Sequence, residues 1–301
     1  MSLYPSEVII EEQGLRDGLQ SESTLISTEQ KLAAIDRLVG AGLRRIQVAS
    51  FVNPKLVPQM ADAEALVAQL DRKQGVVYSA LVLNVRGLDR AAAAGLDHVS
   101  ASISASDAHS RRNANKSLPE AIVEFASMVR QAKSARLTVR GGIQCAFGCR
   151  YEGEIPQQRV LDLVKQHLDL GVDELALADS TGMGDPRSIR EMMAQVVEMA
   201  GPVPVMLHLH DTEGKGLANL VAALECGVKH FDTAFGGLGG CPFIKGATGN
   251  IATEDTAWML AEMGIATGLD LRPIAQLTRQ FEGLLGKKLP GKLHPLILDG
   301  E

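Results

Sequence analysis

Between residues 7 and 236 the chain alternates eight times between a short run rich in β-branched and apolar residues and a longer stretch with helical apolar spacing. The runs are EVIIEE (7–12), RRIQVAS (44–50), VVYSALVL (76–83), HVSASIS (98–104), TVRGGIQCA (138–146), ELALADS (174–180), VPVMLHLHD (203–211) and HFDTAFG (230–236). Of the stretches between them, residues 28–41 carry Leu32, Ile35 and Val39 on one face, and residues 156–170 open with Pro156 and carry Val160, Val164 and Leu168. Gly42, Gly95, Gly171 and Gly227 each stand just before the next strand, where a helix ends in a left-handed residue. Strand then helix, repeated without a linker or charge block, predicts one α/β domain: a (β/α)8 TIM barrel over about 5–265, with a short C-terminal helical extension and tail over about 266–301. An open doubly wound sheet fits less well, because no glycine-rich phosphate turn follows the first strand.

Composition removes several function classes. With 46% hydrophobic and 22% charged residues, the chain reads as a soluble globular protein able to bury a large core. A net charge of −6 argues against broad binding to nucleic acid or to an anionic membrane surface. No apolar run approaches the ~18 residues of a spanning helix. The N-terminal MSLYPSEVIIEEQ lacks the pattern of a secretory signal, so the expected compartment is the cytoplasm. Four cysteines do not make a disulfide scaffold, and Cys145 and Cys149 read as ordinary packed thiols.

In such a barrel the chemistry gathers at the C-terminal ends of the strands. The seventh strand ends in His208 and His210, two apart and therefore on one side of the strand. The first runs into Arg16-Asp17 between glycines, and the sixth ends in Asp179. After the eighth comes GGLGGCPFIKGATGN (236–250), a glycine-rich run that carries Cys241 and ends at Asn250, in the manner of a mobile lid with a catalytic group. An Asp, two His and an Asn oxygen make a hard-to-borderline site suited to Mg²⁺ or Mn²⁺, with Zn²⁺ or Co²⁺ as substitutes.

Taken together, GLRDGLQSE (14–22), SFVNPKLVPQMAD (50–62), SASDAHSRRNAN (104–115), CAFGCRYEG (145–153), LADSTGMGDP (177–186), HLHDTEGKGLAN (208–219) and GLGGCPFIKGATGNIATED (237–255) resemble the 3-hydroxy-3-methylglutaryl-CoA (HMG-CoA) lyase family, in order and over nearly the whole chain. The resemblance implies Asp17, His208, His210 and Asn250 as metal ligands. It implies Arg16 as the catalytic arginine, Asp179 as an active-site acid and Cys241 as the catalytic cysteine; the expected base is Asp17 or Asp179, directly or through a water. Gln20, His109, Arg111 and Asn113 fall in the same segments, Gln47 lies on the second strand run, and these five are the expected substrate contacts. Arg111, Arg112 and Lys116 form a positive cluster placed to meet CoA phosphates. The lysines of the tail (287, 288 and 292) read as a solvated surface.

The activity so implied is metal-dependent retro-Claisen cleavage of an acyl-CoA to acetyl-CoA and a 3-oxo acid, by a homodimer or higher homo-oligomer. The chain departs from the family pattern at Gln47, where a Glu is usual, at His109, where an aromatic is usual, and at Glu213, where a Tyr is usual. These positions keep open another substrate, such as citramalyl-CoA. A Claisen-type condensing synthase and a non-catalytic acyl-CoA- or metal-binding relative remain as the further alternatives.

Overall fold

The computed structural model describes residues 3–240 and 249–300. Its strands are β1 (Ile9–Glu12), β2 (Arg45–Ser50), β3 (Val77–Val82), β4 (His98–Ser104), β5 (Thr138–Gln144), β6 (Glu174–Asp179), β7 (Val205–Leu209) and β8 (His230–Thr233). They close in sequence order into an all-parallel barrel, β1 pairing with β8 from Ile9↔His230 to Glu12↔Thr233. Each strand lies inside the run expected for it, so the TIM barrel stands.

The helices that wrap it are α1 (Thr28–Gly40), α2 (Ala63–Ala68), α3 (Val85–Ala93), α4 (Asp107–Ala114), α5 (Leu118–Ser134), α6 (Gln157–Asp169), α7 (Pro186–Ala200), α8 (Gly216–Glu225) and α9 (Thr253–Glu262). The C-terminal extension is a pair of helices, α10 (Leu271–Leu285) and α11 (Leu293–Asp299). Local chemistry starts and stops these elements. Reciprocal side-chain and backbone bonds cap α1 through Ser27 and Gln30, and α5 through Ser117 and Glu120. Each such cap contributes about 1 kcal/mol. Gly171 (φ 76°) and Gly227 (φ 86°) turn the chain out of α6 and α8 in the left-handed conformation expected of them.

Alternation along the strands gives the barrel two unlike faces. Leu175 and Leu177 of β6 and Leu207 and Leu209 of β7 belong to the fully buried apolar layer under the helices. The opposite face is charged. Glu11 accepts from Arg45 at 2.8 Å and from Ser79 at 3.0 Å. Arg45 also reaches Glu174 at 2.7 Å, and His98 lies 3.1 Å from the same carboxylate. Arg140 donates both Nη atoms to Asp232, at 3.0 and 2.5 Å, and sits 3.3 Å from Glu11. Strand composition alone does not announce this interior.

Charges buried this way persist because each is paired; removing one partner of such a pair costs about 3–5 kcal/mol. Burial alone would raise the Glu174 carboxyl, but His98 and Arg45 hold it down to about 2. A carboxyl lowered on folding contributes stability that is present above its unfolded value of 4.5 and is lost as the pH falls through about 2. Glu174→Gln should therefore cost about 3 kcal/mol near neutrality. The variant should also lose less stability than the parent as the pH is lowered from 4.5 to 2, a difference that urea unfolding across that range measures.

Candidate active site

β1 does not end in an ordinary turn. Gly14–Gly18 form one π-helical turn, a feature that recurs at functional sites. Gly14 N–H donates to Glu12 Oε1 at 2.7 Å, and a Cβ at Gly14 would lie 2.5 Å from the Phe235 ring, so only glycine fits. This turn carries Arg16 and Asp17 into the barrel mouth. Arg16 donates to Gln47 Oε1 and Asp17 Oδ1, each at 2.5 Å, and to Gln13 Oε1 at 2.8 Å. Gln20 donates to Asp17 Oδ1 at 2.9 Å.

His208 and His210 project from β7 to the same side, their Nε2 atoms 3.0 Å apart and 3.9 and 3.5 Å from Asp17 Oδ2. Asn250 arrives on a short antiparallel segment: Asp211 N–H donates to Gly249 O at 2.7 Å, and Ile251 N–H to Leu209 O at 3.2 Å. Its amide nitrogen donates to Asp17 Oδ2 at 2.9 Å and to Leu238 O at 3.1 Å. Gly239 and Gly249 meet backbone to backbone here. A Cβ on Gly249 would lie 2.5 Å from the Gly239 carbonyl carbon.

These donors fit a divalent cation. One atom each from Asp17, His208 and His210 lie within 4.8 Å of one another, and all three residues are buried. Two imidazole nitrogens facing at 3.0 Å leave one lone pair opposing another unless a proton or a cation lies between them. Asn250 Oδ1 is buried without a partner among the described residues, a free oxygen ligand beside the cluster. Protonation states agree. Burial would raise the Asp17 carboxyl, but Arg16, His210 and His208 hold it well below its ordinary value, hence ionised. Burial lowers His208, with Asp232 and Asp17 opposing only in part, which favours the neutral imidazole that binds metal.

Asp17, His208 and His210 lie on the wall of a cavity of about 350 Å³. Arg16, Asp17, Gln20, Gln47, His109 and Asn113 line it with the two histidines. Burial lowers the His109 imidazole there. Farther out Val52, Leu56, Val57 and Leu83 give an apolar wall, with Arg112 lying 4.1 Å over the Tyr151 ring.

Several of the expected residues stand off the cavity wall: Asn250, which meets Asp17, and Asp179, Arg111 and Lys116. Asp179 shares the face of Leu175 and Leu177, opposite Ala176 and Ala178, which line the cavity. Its oxygens accept from Met183 N–H and Gly184 N–H, each at 3.1 Å, and burial raises its carboxyl despite those bonds. Arg111 points to solvent and pairs with Asp107 at 2.7 Å; its neighbour Arg112 faces the cavity instead. Lys116 pairs with Glu124, and Glu213 pairs with Arg150 and Lys215, both away from the cavity wall. Thus two of the three family departures, Gln47 and His109, face the cavity and the third does not. Cys241 lies outside the described residues. The sequence reading missed Asp232 and Arg140, which also line the cavity. Their signal is parity: each is a charged residue at an inward position of its strand.

This geometry defines a class, an enzyme on a (β/α)8 barrel whose mouth gathers donors that fit a divalent cation, a fixed guanidinium and a cavity large enough for a small-molecule substrate. Comparison with known proteins narrows it. The model of the HMGL-like family matches residues 7–280, and the chain belongs to that family. It is 39% identical over 289 residues to a hydroxymethylglutaryl-CoA lyase of Bacillus subtilis, covering 96% of this chain and 97% of that protein. It is 38% identical over 293 residues to the human mitochondrial hydroxymethylglutaryl-CoA lyase, covering 97% and 90%. The crystal structure of hydroxymethylglutaryl-CoA lyase from Pseudomonas aeruginosa superposes with a TM-score of 0.95 at 35% identity, over 100% of both chains. An HMG-CoA lyase from Acinetobacter baumannii, solved with coenzyme A and 3-methylmalate, superposes with a TM-score of 0.93 at 37% identity, over 98% of this chain and 96% of that one.

If Asp17 helps to hold a cation, Mn²⁺ at a hundredfold excess over its Kd should stabilise the protein by about 2.7 kcal/mol. Asp17→Ala should abolish that rise in melting temperature, as read by calorimetry with and without Mn²⁺.

Proposed function

We propose that the protein is a divalent-metal-dependent carbon–carbon lyase that cleaves HMG-CoA to acetyl-CoA and a 3-oxo acid. The observation that carries this reading is the convergence of Asp17, His208 and His210 beside Arg16 on the cavity wall, with Asn250 bonded to Asp17. The coenzyme A bound to the Acinetobacter baumannii relative supports an acyl-CoA as the ligand of the outer cavity.

Cleavage is a retro-Claisen step. The 3-hydroxyl loses its proton, the C2–C3 bonding pair moves onto the thioester as an enolate, and the enolate carbon takes up a proton. Asp17, His208, His210 and Asn250 would hold Mg²⁺ or Mn²⁺, which would supply Lewis acidity that lowers the hydroxyl's pKa. Arg16 is braced by Gln47, Asp17 and Gln13, and its remaining N–H groups suit a developing enolate oxygen. Because three neighbours already fix the guanidinium, little reorganisation is needed as charge develops. Of the two candidate bases, Asp17 stands in the cavity and takes the hydroxyl proton directly or through a water. Asp179 has the greater proton affinity, but its oxygens are engaged with the 183–184 turn. Cys241, in the segment that follows Gly239 and Gly240, protonates the enolate carbon.

A second substrate reading rests on one observation. Gln47 is neutral and hydrogen-bonded to Arg16, and His109 faces the same cavity. A pocket with these two residues suits another 3-hydroxyacyl-CoA, such as citramalyl-CoA.

The test is acetyl-CoA release from HMG-CoA with Mg²⁺ or Mn²⁺, beside citramalyl-CoA. EDTA should stop the reaction and added Mn²⁺ should restore it. Turnover of citramalyl-CoA alone would favour the second substrate, and turnover of neither would contradict the lyase reading. Arg16→Gln should lower kcat by about 10²–10³-fold. Cys241→Ser should cut kcat by about 10²–10⁴-fold with Mn²⁺ affinity unchanged. Full activity in that variant would remove the thiol from the reaction.

A further inference from the structure

We infer that Asp232, clamped by Arg140, is a positioning residue that fixes the tautomer and aim of His208 and so sets the metal affinity of the site. The inference rests on the reading of Asp17, His208 and His210 as cation ligands. His208 on β7 and Asp232 on β8 are register partners in a parallel pair, so their side chains leave the sheet on the same face. His208 Nδ1 lies 3.1 Å from Asp232 Oδ2.

The carboxylate has little freedom. Arg140 grips it with both Nη atoms, at 3.0 and 2.5 Å, and Glu11 lies 3.3 Å from the same guanidinium. A carboxylate under a guanidinium fork is an acceptor only, so the hydrogen of that contact sits on His208 Nδ1. The Nε2 lone pair then points toward His210 Nε2 at 3.0 Å and Asp17 Oδ2 at 3.9 Å, the place where a cation would sit.

His210 differs. Its Nδ1 is buried with no partner among the described residues. Of the paired histidines, His208 is held by an ionic chain that runs from Asp232 on β8 through Arg140 on β5 to Glu11 on β1, whereas among the described residues His210 has no such brace. His208 is therefore the pre-aimed ligand and His210 the adaptable one. A carboxylate behind a ligating imidazole orients the ring and raises its basicity, and its loss typically weakens metal binding by about 10–100-fold.

The experiment measures Mn²⁺ affinity by titration calorimetry or Mn²⁺ electron paramagnetic resonance on the full-length protein. The comparison is between wild type, Asp232→Asn, Asp17→Ala and Glu174→Gln. Asp232→Asn should weaken Mn²⁺ binding by about 10–100-fold, with kcat largely recovered at saturating Mn²⁺. Glu174→Gln perturbs the same charged interior without touching His208 and should leave Mn²⁺ affinity at the wild-type value.

Asp232→Asn leaves Arg140 with one fewer charge partner and can lower the folded yield. The second measurement therefore uses wild type: long-range ¹⁵N–¹H correlation of the imidazoles in the Mg²⁺-loaded protein should show His208 as the Nδ1–H tautomer. Binding that Asp17→Ala removes but Asp232→Asn leaves intact would overturn the inference alone. An equal loss in Glu174→Gln, or an Nε2–H tautomer at His208, would do the same. Absence of Mn²⁺ binding by the wild type would overturn the cation-site reading and the inference with it.

Discussion

Arg140 lies where three demands meet: it neutralises Asp232, it faces Glu11, and it forms part of the cavity wall. An ionised carboxylate in an apolar barrel interior would carry a penalty of several kcal/mol. With the guanidinium in a two-pronged grip, the same carboxylate becomes a fixed acceptor beside His208. The barrel interior is therefore a charged floor on which the site stands. Its pairs cross from β1 to β2, β2 to β6, β4 to β6, and β5 to β8, so that six of the eight strands are tied together inside the barrel.

A second buried carboxylate ties together the segments that bear the chemistry. Glu12 accepts from Gly14 N–H at 2.7 Å, Phe235 N–H at 3.0 Å and Thr253 Oγ1 at 2.7 Å. The turn presenting Arg16 and Asp17 and both flanks of the glycine-rich run thus hang from one side chain. Burial outweighs these bonds and pushes the Glu12 carboxyl up to about 7. Its neighbour Glu254, also raised by burial, accepts from Gly236 N–H at 2.8 Å and from Thr278. The turn after β1, the end of β8 and the start of α9 are thereby fixed to one another through buried carboxylates.

The fold was legible because its signal is repetitive: apolar runs bounded by glycine, with helical spacing between them, eight times over. The histidine pair was legible for the same kind of reason, since two residues two apart on a strand share a face. Asp179 shows where end-of-strand reading stops working. It closes an apolar run at a strand end, yet counting parity from Leu175 and Leu177 puts it on the helix side. Arg111 and Arg112 are separated by one helical step of about 100°, enough to send one to solvent and the other to the cavity. Asp232 and Arg140 escaped notice because attention to strand ends passes over charged residues in strand interiors. Their meaning depends on which strands become neighbours, and only closure of the barrel decides that.

The most direct test of the account is a crystal structure grown with Mn²⁺, with anomalous differences collected near the manganese absorption edge. The account predicts one strong peak at the barrel mouth bonded to an Asp17 carboxylate oxygen and to Nε2 of both His208 and His210, with the Asn250 amide oxygen turned toward it. A peak elsewhere, or a cation bound through His208 Nδ1 with Asp232 displaced, would contradict it.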